Sequence, residues 1–181
     1  MKKLIWIISG LFMFTIIFTA CNEDDAEDLA DVTFDVEYSK DLNIVAETKS
    51  GLKDIQATFS VQDTIDPYSN GDYEKYSGNI KEVKITEVKG EVTSINKDFT
   101  LVQTNLEVAS GYLAEWSFTN VPVTTATVLT LDNANGQWDE VEKMLDQGTP
   151  LAIFLYGETD EDDVEFTVKV TIKAEVTANP L

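Results

Sequence analysis

The stretch from Val164 to Thr177 reads VEFTVKVTIKAEVT, and its apolar and polar residues alternate without a break. Seven apolar side chains fall on one face of an extended chain, and the seven between them are Glu, Thr or Lys. Because side chains of a β-strand point alternately to opposite faces, this period of two predicts a strand with one face in a core and the other in water. The stretch therefore predicts a layered β-protein.

Shorter stretches with the same alternation recur upstream, separated by turn residues. Their number and regular spacing predict an all-β fold, a single β-sandwich of immunoglobulin-like or similar type with about eight or nine strands over residues 32–178. Trp116 continues the apolar face of its strand, so we expect it in the core. Residues 83–95 are read as strands interrupted by a bulge or a turn at Gly90. The other predicted strands contain residues 32–38, 55–61, 101–108, 112–118, 123–131 and 151–156.

One segment has a different period. Between residues 136 and 147 the apolar residues recur at helical spacing, and two acids in the first turn suit the helix dipole. A glycine at 148 and a proline at 150 follow as stop signals. This segment predicts one short helix near residues 136–147, packed through Trp138 across an open end or an edge of the sandwich.

The first twenty residues have the features of a secretory signal peptide. Two lysines precede an apolar run from Leu4 to Phe18, which at about 15 residues is shorter than the roughly 20 that span a bilayer. The residues Phe18-Thr19-Ala20-Cys21 resemble a lipobox, the site cut by the lipoprotein signal peptidase. The resemblance implies a bacterial lipoprotein in which the Cys21 thiol carries the lipid. The alternative is an ordinary signal peptide with a stray thiol beside its cleavage site.

The residues that follow Cys21 are acidic. Asn22-Glu23-Asp24-Asp25 resembles the export tag of surface lipoproteins of the Bacteroidota, which implies that Glu23, Asp24 and Asp25 direct the protein to the cell surface. Residues 21–31 contain too few apolar side chains to build a core, so we expect a flexible tether there. The expected location is the outer membrane, with the lipid anchor as the contact with the membrane.

The charge of the chain limits its partners. Removing the two lysines of residues 1–20 leaves 11 basic and 33 acidic residues, a formal charge of −22. A field of that sign repels nucleic acid, so we expect no nucleic-acid partner. The favoured explanation of the acidity is that it keeps the protein soluble and makes neighbouring molecules repel one another at a crowded surface.

The residue inventory excludes most catalytic machinery. The chain has no histidine and a single cysteine, which rules out Ser-His-Asp and Cys-His sites and zinc sites built on His or Cys. No glycine-rich loop resembles a phosphate cradle. A pair of carboxylates can hydrolyse glycosides, but among 33 acids the presence of pairs carries no information. We expect no enzymatic activity, no cofactor and no metal.

An acidic loop at residues 157–163 separates two predicted strands and holds five acids in six residues. Oxygen-rich loops of this kind can hold Ca²⁺. The spacing of carboxylates here fits no EF-hand. We therefore favour a solvated hairpin turn whose charge prevents edge-to-edge association.

A tyrosine-rich loop at residues 66–76 is the candidate ligand-binding segment. Exposed aromatic rings among polar groups can stack on sugars, but amphipathic tyrosines can also lie over the end of their own core, and the second reading is favoured. The candidate ligand-binding residues are Tyr68, Asn70, Asp72, Tyr73 and Tyr76.

The sequence is compatible with four functions. The first is a non-catalytic surface lipoprotein that binds a glycan, a neighbouring envelope protein or an extracellular ligand, and it predicts an exposed aromatic patch. The second is a structural subunit of an envelope complex, which predicts a large apolar patch or an open sheet edge. An acid-pair glycoside hydrolase would have two facing carboxylates in a cleft. A carrier of an apolar ligand would have an interior cavity.

Overall fold

The computed structural model describes residues 31–48 and 56–179. Eight strands form two four-stranded antiparallel sheets, which confirms the predicted β-sandwich. The predicted signal peptide, Cys21 and the export tag lie outside the described residues. The strands are β1 (Val32–Ala46), β2 (Ala57–Ile65), β3 (Ile80–Ile95), β4 (Phe99–Ala109), β5 (Leu113–Val123), β6 (Val128–Thr130), β7 (Leu151–Thr159) and β8 (Val164–Ala178). The helices are α1 (Gly71–Tyr76) and α2 (Gln137–Asp146), and 3-10 turns span Pro67–Ser69 and Ser77–Asn79.

The alternating stretch that begins at Val164 forms β8, which lies inside its sheet. Sheet A has the order β1-β8-β3-β6, and sheet B has the order β2-β7-β4-β5. All seven apolar side chains of the stretch are buried. Phe166 shows the packing between the sheets, because its ring lies 5.4 Å from that of Phe59 and 4.8 Å from that of Phe99. Both partners belong to strands of sheet B.

Three strands of sheet A are longer than any strand of sheet B, and helices cover the part of sheet A that extends beyond sheet B. Strands β1, β3 and β8 have 15 or 16 residues, whereas those of sheet B have 9 to 11. The ring of Tyr76 packs 5.3 Å from that of Phe34, and the Tyr38 hydroxyl donates to Pro67 O at 3.1 Å. Residues 66–79 therefore lie beside the first half of β1, and we call this the helical end of the sandwich.

The predicted helix is confirmed as α2. Gly136 precedes it in the left-handed region, with φ of 80°, and Val141, Met144 and Leu145 are buried. Trp138 is half-buried, and its indole N–H donates to Leu131 O at 2.7 Å. The helix contacts β3 and β5, which belong to opposite sheets, so it closes a side of the sandwich as the spacing predicted.

Two strand predictions were wrong in detail. Strand β3 runs through Gly90 without a break, and its register shifts lie between Ile80 and Glu82, Ile85 and Glu87, and Val92 and Ser94. A Cβ at Gly90 would make ordinary van der Waals contact, 3.4 Å from Val168 Cγ1 and from Leu129 Cβ, and the short strand β6 pairs with β3 at this position.

The second error concerns the segment 123–131, which the sequence analysis predicts as one strand. Val123 ends β5, and only Val128–Thr130 forms β6. Between them the Thr124 N–H donates to Thr127 Oγ1 at 2.9 Å, and Ala126 adopts a φ of 71°. A local turn therefore outweighs the strand propensity of this threonine- and valine-rich segment.

Candidate functional site

The tyrosine-rich loop lies at the helical end and is largely helical, which the sequence reading missed. Tyr73 is 1% exposed, and its ring contacts those of Tyr38 and Tyr68 at centroid distances of 6.4 and 5.9 Å. Its hydroxyl donates to Leu145 O in α2. Tyr73 therefore lies in the core and is closed to a ligand, which is the structural alternative considered for these tyrosines.

The other candidate residues of the loop do not form one surface. The Asn70 side chain caps α1, since its Oδ1 accepts from the backbone N–H groups of Asp72 and Tyr73, each at 3.1 Å. Tyr76 packs on β1 and accepts from its neighbour Lys75 at 2.7 Å. Tyr68, 43% exposed, offers part of its ring to solvent, and Asp72 is exposed. Most of the predicted site thus holds the helical end together.

The acidic loop is tied to its neighbours at the opposite end of the sandwich. Asp160 Oδ1 accepts from the Thr100 N–H at 2.6 Å, and Asp162 Oδ1 accepts from the Thr48 N–H at 2.7 Å. The second bond holds the pKa of Asp162 below its usual range. No group of three or more Asp or Glu side chains suited to a metal ion occurs within residues 31–48 and 56–179. Two of the five acids thus bond to backbone amides.

The outer face of sheet A is a ladder of opposite charges. Lys173 Nζ lies 3.1 Å from Glu87 Oε1, and Lys89 lies within 4 Å of both Glu87 and Glu91. Exposed ion pairs of this kind contribute little to stability, about 0.2–1 kcal/mol each. Such pairing is typical of a solvated sheet surface.

The outer face of sheet B is different, because β7 is apolar on both of its faces. Leu151, Ile153 and Leu155 point into the core, while Phe154 and Tyr156 on the other face are only half-buried. A solvated antiparallel sheet usually shows polar side chains on its outer face. Two outward aromatic rings on one strand depart from this pattern.

An open depression of about 620 Å³ lies on this face, across β2, β7 and β4. Tyr156 lies in the middle of a row of register partners that runs from Ser60 across Tyr156 to Asn105. Gln103 and Glu158 form the neighbouring row. The depression is lined by Thr58, Phe59, Ser60, Gln103, Asn105, Tyr156, Gly157 and Glu158.

The Tyr156 ring is fixed by a hydrogen bond. Its hydroxyl donates to Glu107 Oε1 at 2.6 Å, and this bond raises the pKa of Tyr156 above its usual value. Because Glu107 holds the hydroxyl, the orientation of the Tyr156 ring is already fixed in the unliganded protein. A preorganised ring loses less conformational freedom on binding.

The floor of the depression is shaped by a close approach of β4 and β7. Gly157 lies opposite Thr104, and a Cβ at Gly157 would overlap the carbonyl oxygen of Gln103 and lie 2.8 Å from Thr104 Cα. The register of β4 against β7 shifts between Leu101 and Gln103, just beside this contact. A glycine is therefore required at this position.

The Thr104 hydroxyl beneath the depression has no hydrogen-bond partner although it is fully buried. Replacing Thr104 with Val removes this hydroxyl at nearly constant volume, and we expect the free energy of unfolding to rise by about 1 kcal/mol. The matched control is Thr159→Val, since the buried Thr159 hydroxyl donates to Glu161 O at 2.7 Å. That variant is expected to lose about 1 kcal/mol. Urea unfolding measures both, and equal losses would contradict the assignment.

The sequence contained one signal for this face that the loop-centred reading did not use. Residues 151–156 are apolar at all six positions, so the run has no period of two, and the sequence analysis predicts only that it forms a strand. The outward pair Phe154 and Tyr156 could have been singled out, but the facing residues of β2 and β4 come together only through the register.

Among the described residues, no helix is both long and apolar enough to cross a membrane. No family model matches the chain, and no curated protein matches it. A solved structure from desmodium yellow mottle tymovirus is similar over 98% of this chain and 94% of that chain, with 9% sequence identity and a TM-score of 0.27. At that TM-score the likeness carries no argument.

Proposed function

We propose that this protein is a non-catalytic glycan-binding module, and that the outer face of sheet B is its binding surface. The observation that carries the proposal is the half-buried Tyr156 ring in an open depression lined by amide and hydroxyl side chains. A sugar ring presents an apolar face of C–H groups and a rim of hydroxyls. Tyr156 matches the face, and Asn105, Gln103 and Ser60 match the rim.

The chemistry of these side chains suits sugar hydroxyls. Amide side chains both donate and accept hydrogen bonds, as a sugar hydroxyl does. Contact of one aromatic face with a sugar contributes on the order of 1 kcal/mol. Because the depression is open along the sheet, it admits a segment of a longer chain as well as a chain end.

The proposal includes the cellular setting implied by the lipobox-like sequence, a lipoprotein at the outer surface of the outer membrane. Residue 32 lies at the helical end, where β1 begins. A tether joined there leaves the outer face of sheet B to the side of the anchor. Support for this setting comes from Cys21 and from Glu23, Asp24 and Asp25 in the sequence.

The binding proposal is tested with a glycan array and the variant Tyr156→Ala. We expect the wild-type domain to bind at least one polysaccharide and the variant to lose about tenfold or more in affinity, because the ring and its fixed position are both removed. Tyr112→Ala is the matched control, since Tyr112 is 38% exposed and lies outside the depression. An array without any binding, or unchanged affinity in Tyr156→Ala, would overturn the proposal and favour a protein partner of the envelope.

The anchor is tested separately. Cys21→Ser is expected to abolish labelling by a radioactive fatty acid and to release the protein from the membrane fraction. Replacing Glu23, Asp24 and Asp25 with Ala is expected to preserve lipidation but to protect the protein from protease added to intact cells. Fatty-acid labelling of Cys21→Ser would refute the anchor, and equal protease digestion would refute the role of the acidic tag.

A further inference from the structure

Lysines are distributed unequally between the two sheets. Of the nine lysines within the described residues, six lie on the strands of sheet A. None lies on β2, β4, β5 or β7, and the chain contains no arginine. Sheet B as a whole therefore lacks a basic side chain.

The charged groups on the outer face of sheet B are carboxylates. Glu158 lines the depression itself, and Glu107 holds the hydroxyl of Tyr156. Glu115 on β5 is the direct register partner of Glu107. Like charges placed opposite each other on neighbouring strands destabilise a sheet, and no lysine of a neighbouring strand in this sheet offsets them.

We infer that this depression selects uncharged glycans and excludes acidic ones. The inference rests on the proposed glycan-binding function and names its ligand class. An anionic sugar in contact with Tyr156 would lie beside Glu158 and near Glu107, with no lysine on the strands of sheet B to pair with. Carboxylates in these positions repel anionic glycans and do not repel uncharged ones.

The charge of the site is tested with ligands that differ in charge alone. Calorimetric titration compares laminarin and galactomannan with their C6-oxidised, carboxylate-bearing derivatives, and adds polygalacturonate as a natural acidic chain. We expect a neutral chain to bind at least tenfold more tightly than its carboxylated derivative at 50 mM salt. The ratio should shrink at 500 mM salt, because screening shortens the range of the repulsion.

Two variants of equal net charge locate the effect. Glu158→Lys is expected to raise the ratio of the affinity for a carboxylated chain to the affinity for its neutral parent about tenfold. Glu175→Lys, on the outer face of sheet A, changes the net charge equally and is expected to leave every affinity within threefold. An equal gain in both variants would show that net charge acts, not the site, and would overturn the inference.

The remaining outcomes separate the two proposals. Carboxylated chains that bind as tightly as neutral ones would refute charge selection and leave glycan binding in place. Binding of an oligolysine peptide with no binding of any polysaccharide would refute both.

Discussion

Replacing Tyr73 with Ala is expected to lower the free energy of unfolding by about 3–5 kcal/mol, the range typical of large aromatic truncations in a core. The Tyr73 ring is 1% exposed and lies between the rings of Tyr38 and Tyr68, and its hydroxyl joins α1 to Leu145 of α2. The loss would therefore separate the two helices from each other. Chemical unfolding followed by tryptophan fluorescence measures the change.

The hydroxyl of Tyr73 makes its own contribution to the free energy of unfolding, and the dependence of stability on pH measures that contribution. Burial, with the charges of Tyr68 and Asp146 adding to it, raises the pKa of Tyr73 from 10.0 to about 12. Below pH 10 the residue is neutral in the folded and the unfolded protein. Between pH 10 and 12 only the unfolded chain ionises, so stability falls as pH rises, by about 1.4 kcal/mol per unit.

Tyr38 behaves in the same way, because burial raises its pKa as well. The wild type should then lose stability above pH 10 more steeply than Tyr73→Phe, which lacks the Tyr73 contribution. At pH 7 Tyr73→Phe should cost about 1 kcal/mol, the value of one hydrogen bond.

Tyr112→Ala is the control for the truncation, and its expected effect is within about 0.5 kcal/mol, since the ring is partly solvated. If Tyr73→Ala left stability unchanged and weakened ligand binding, the tyrosine-rich loop would be the binding site after all. The assignment of Tyr73 to the core would then be wrong.

Replacing Gly157 with Ala is expected to cost about 3 kcal/mol, at the upper end for overpacking, because the added methyl overlaps backbone and not a movable side chain. The atoms in its way are the Gln103 carbonyl oxygen and Thr104 Cα. Relief requires β4 and β7 to separate, which would also deform the depression. The melting temperature and the affinity for glycan should therefore both fall in this variant.

Gly71→Ala is the matched control, since nothing lies within 4 Å of a Cβ at that position. Gly71 is the first residue of α1, where alanine is the better helix former, so stability should be unchanged or rise by up to about 1 kcal/mol. A Gly157→Ala variant as stable as the wild type would show that the two strands can move apart freely.

Long, strictly periodic segments could be interpreted from the sequence alone. The alternation in β8 placed seven side chains in the core correctly, and the helical spacing of Val141, Met144 and Leu145 located α2. In both cases a local repeat carries the information about which side is buried. The break predicted at Gly90 is absent, because Gly90 pairs with Leu129 of β6 on one side and with Val170 of β8 on the other, and both partners are distant in sequence.

The candidate binding surface could not be derived in the same way. Ser60, Asn105 and Tyr156 come from three strands, and only the register of sheet B brings them into one row. The rings of the tyrosine-rich loop, in contrast, are close in sequence, so the sequence alone indicated this loop as a candidate. Its short helix depends on the Asn70 cap and on contacts of Tyr73 with β1 and α2. The residues that Tyr73 contacts in β1 and α2 are distant from it in the sequence, so the local sequence does not reveal these contacts.

The pairing of the first strand with the last has a consequence for how the chain acquires its structure. Val32 pairs with Ala178, and β1 has no other partner in its sheet. During synthesis from the N-terminus, β1 and β3 remain without their shared partner β8 until the final strand has emerged. Sheets closed by contacts so distant in sequence fold slowly, in milliseconds to seconds. Strands β1 and β3 are therefore joined in one sheet only after β8 has emerged, and a chain that stalled before β8 would expose two long strands ready to pair with other chains.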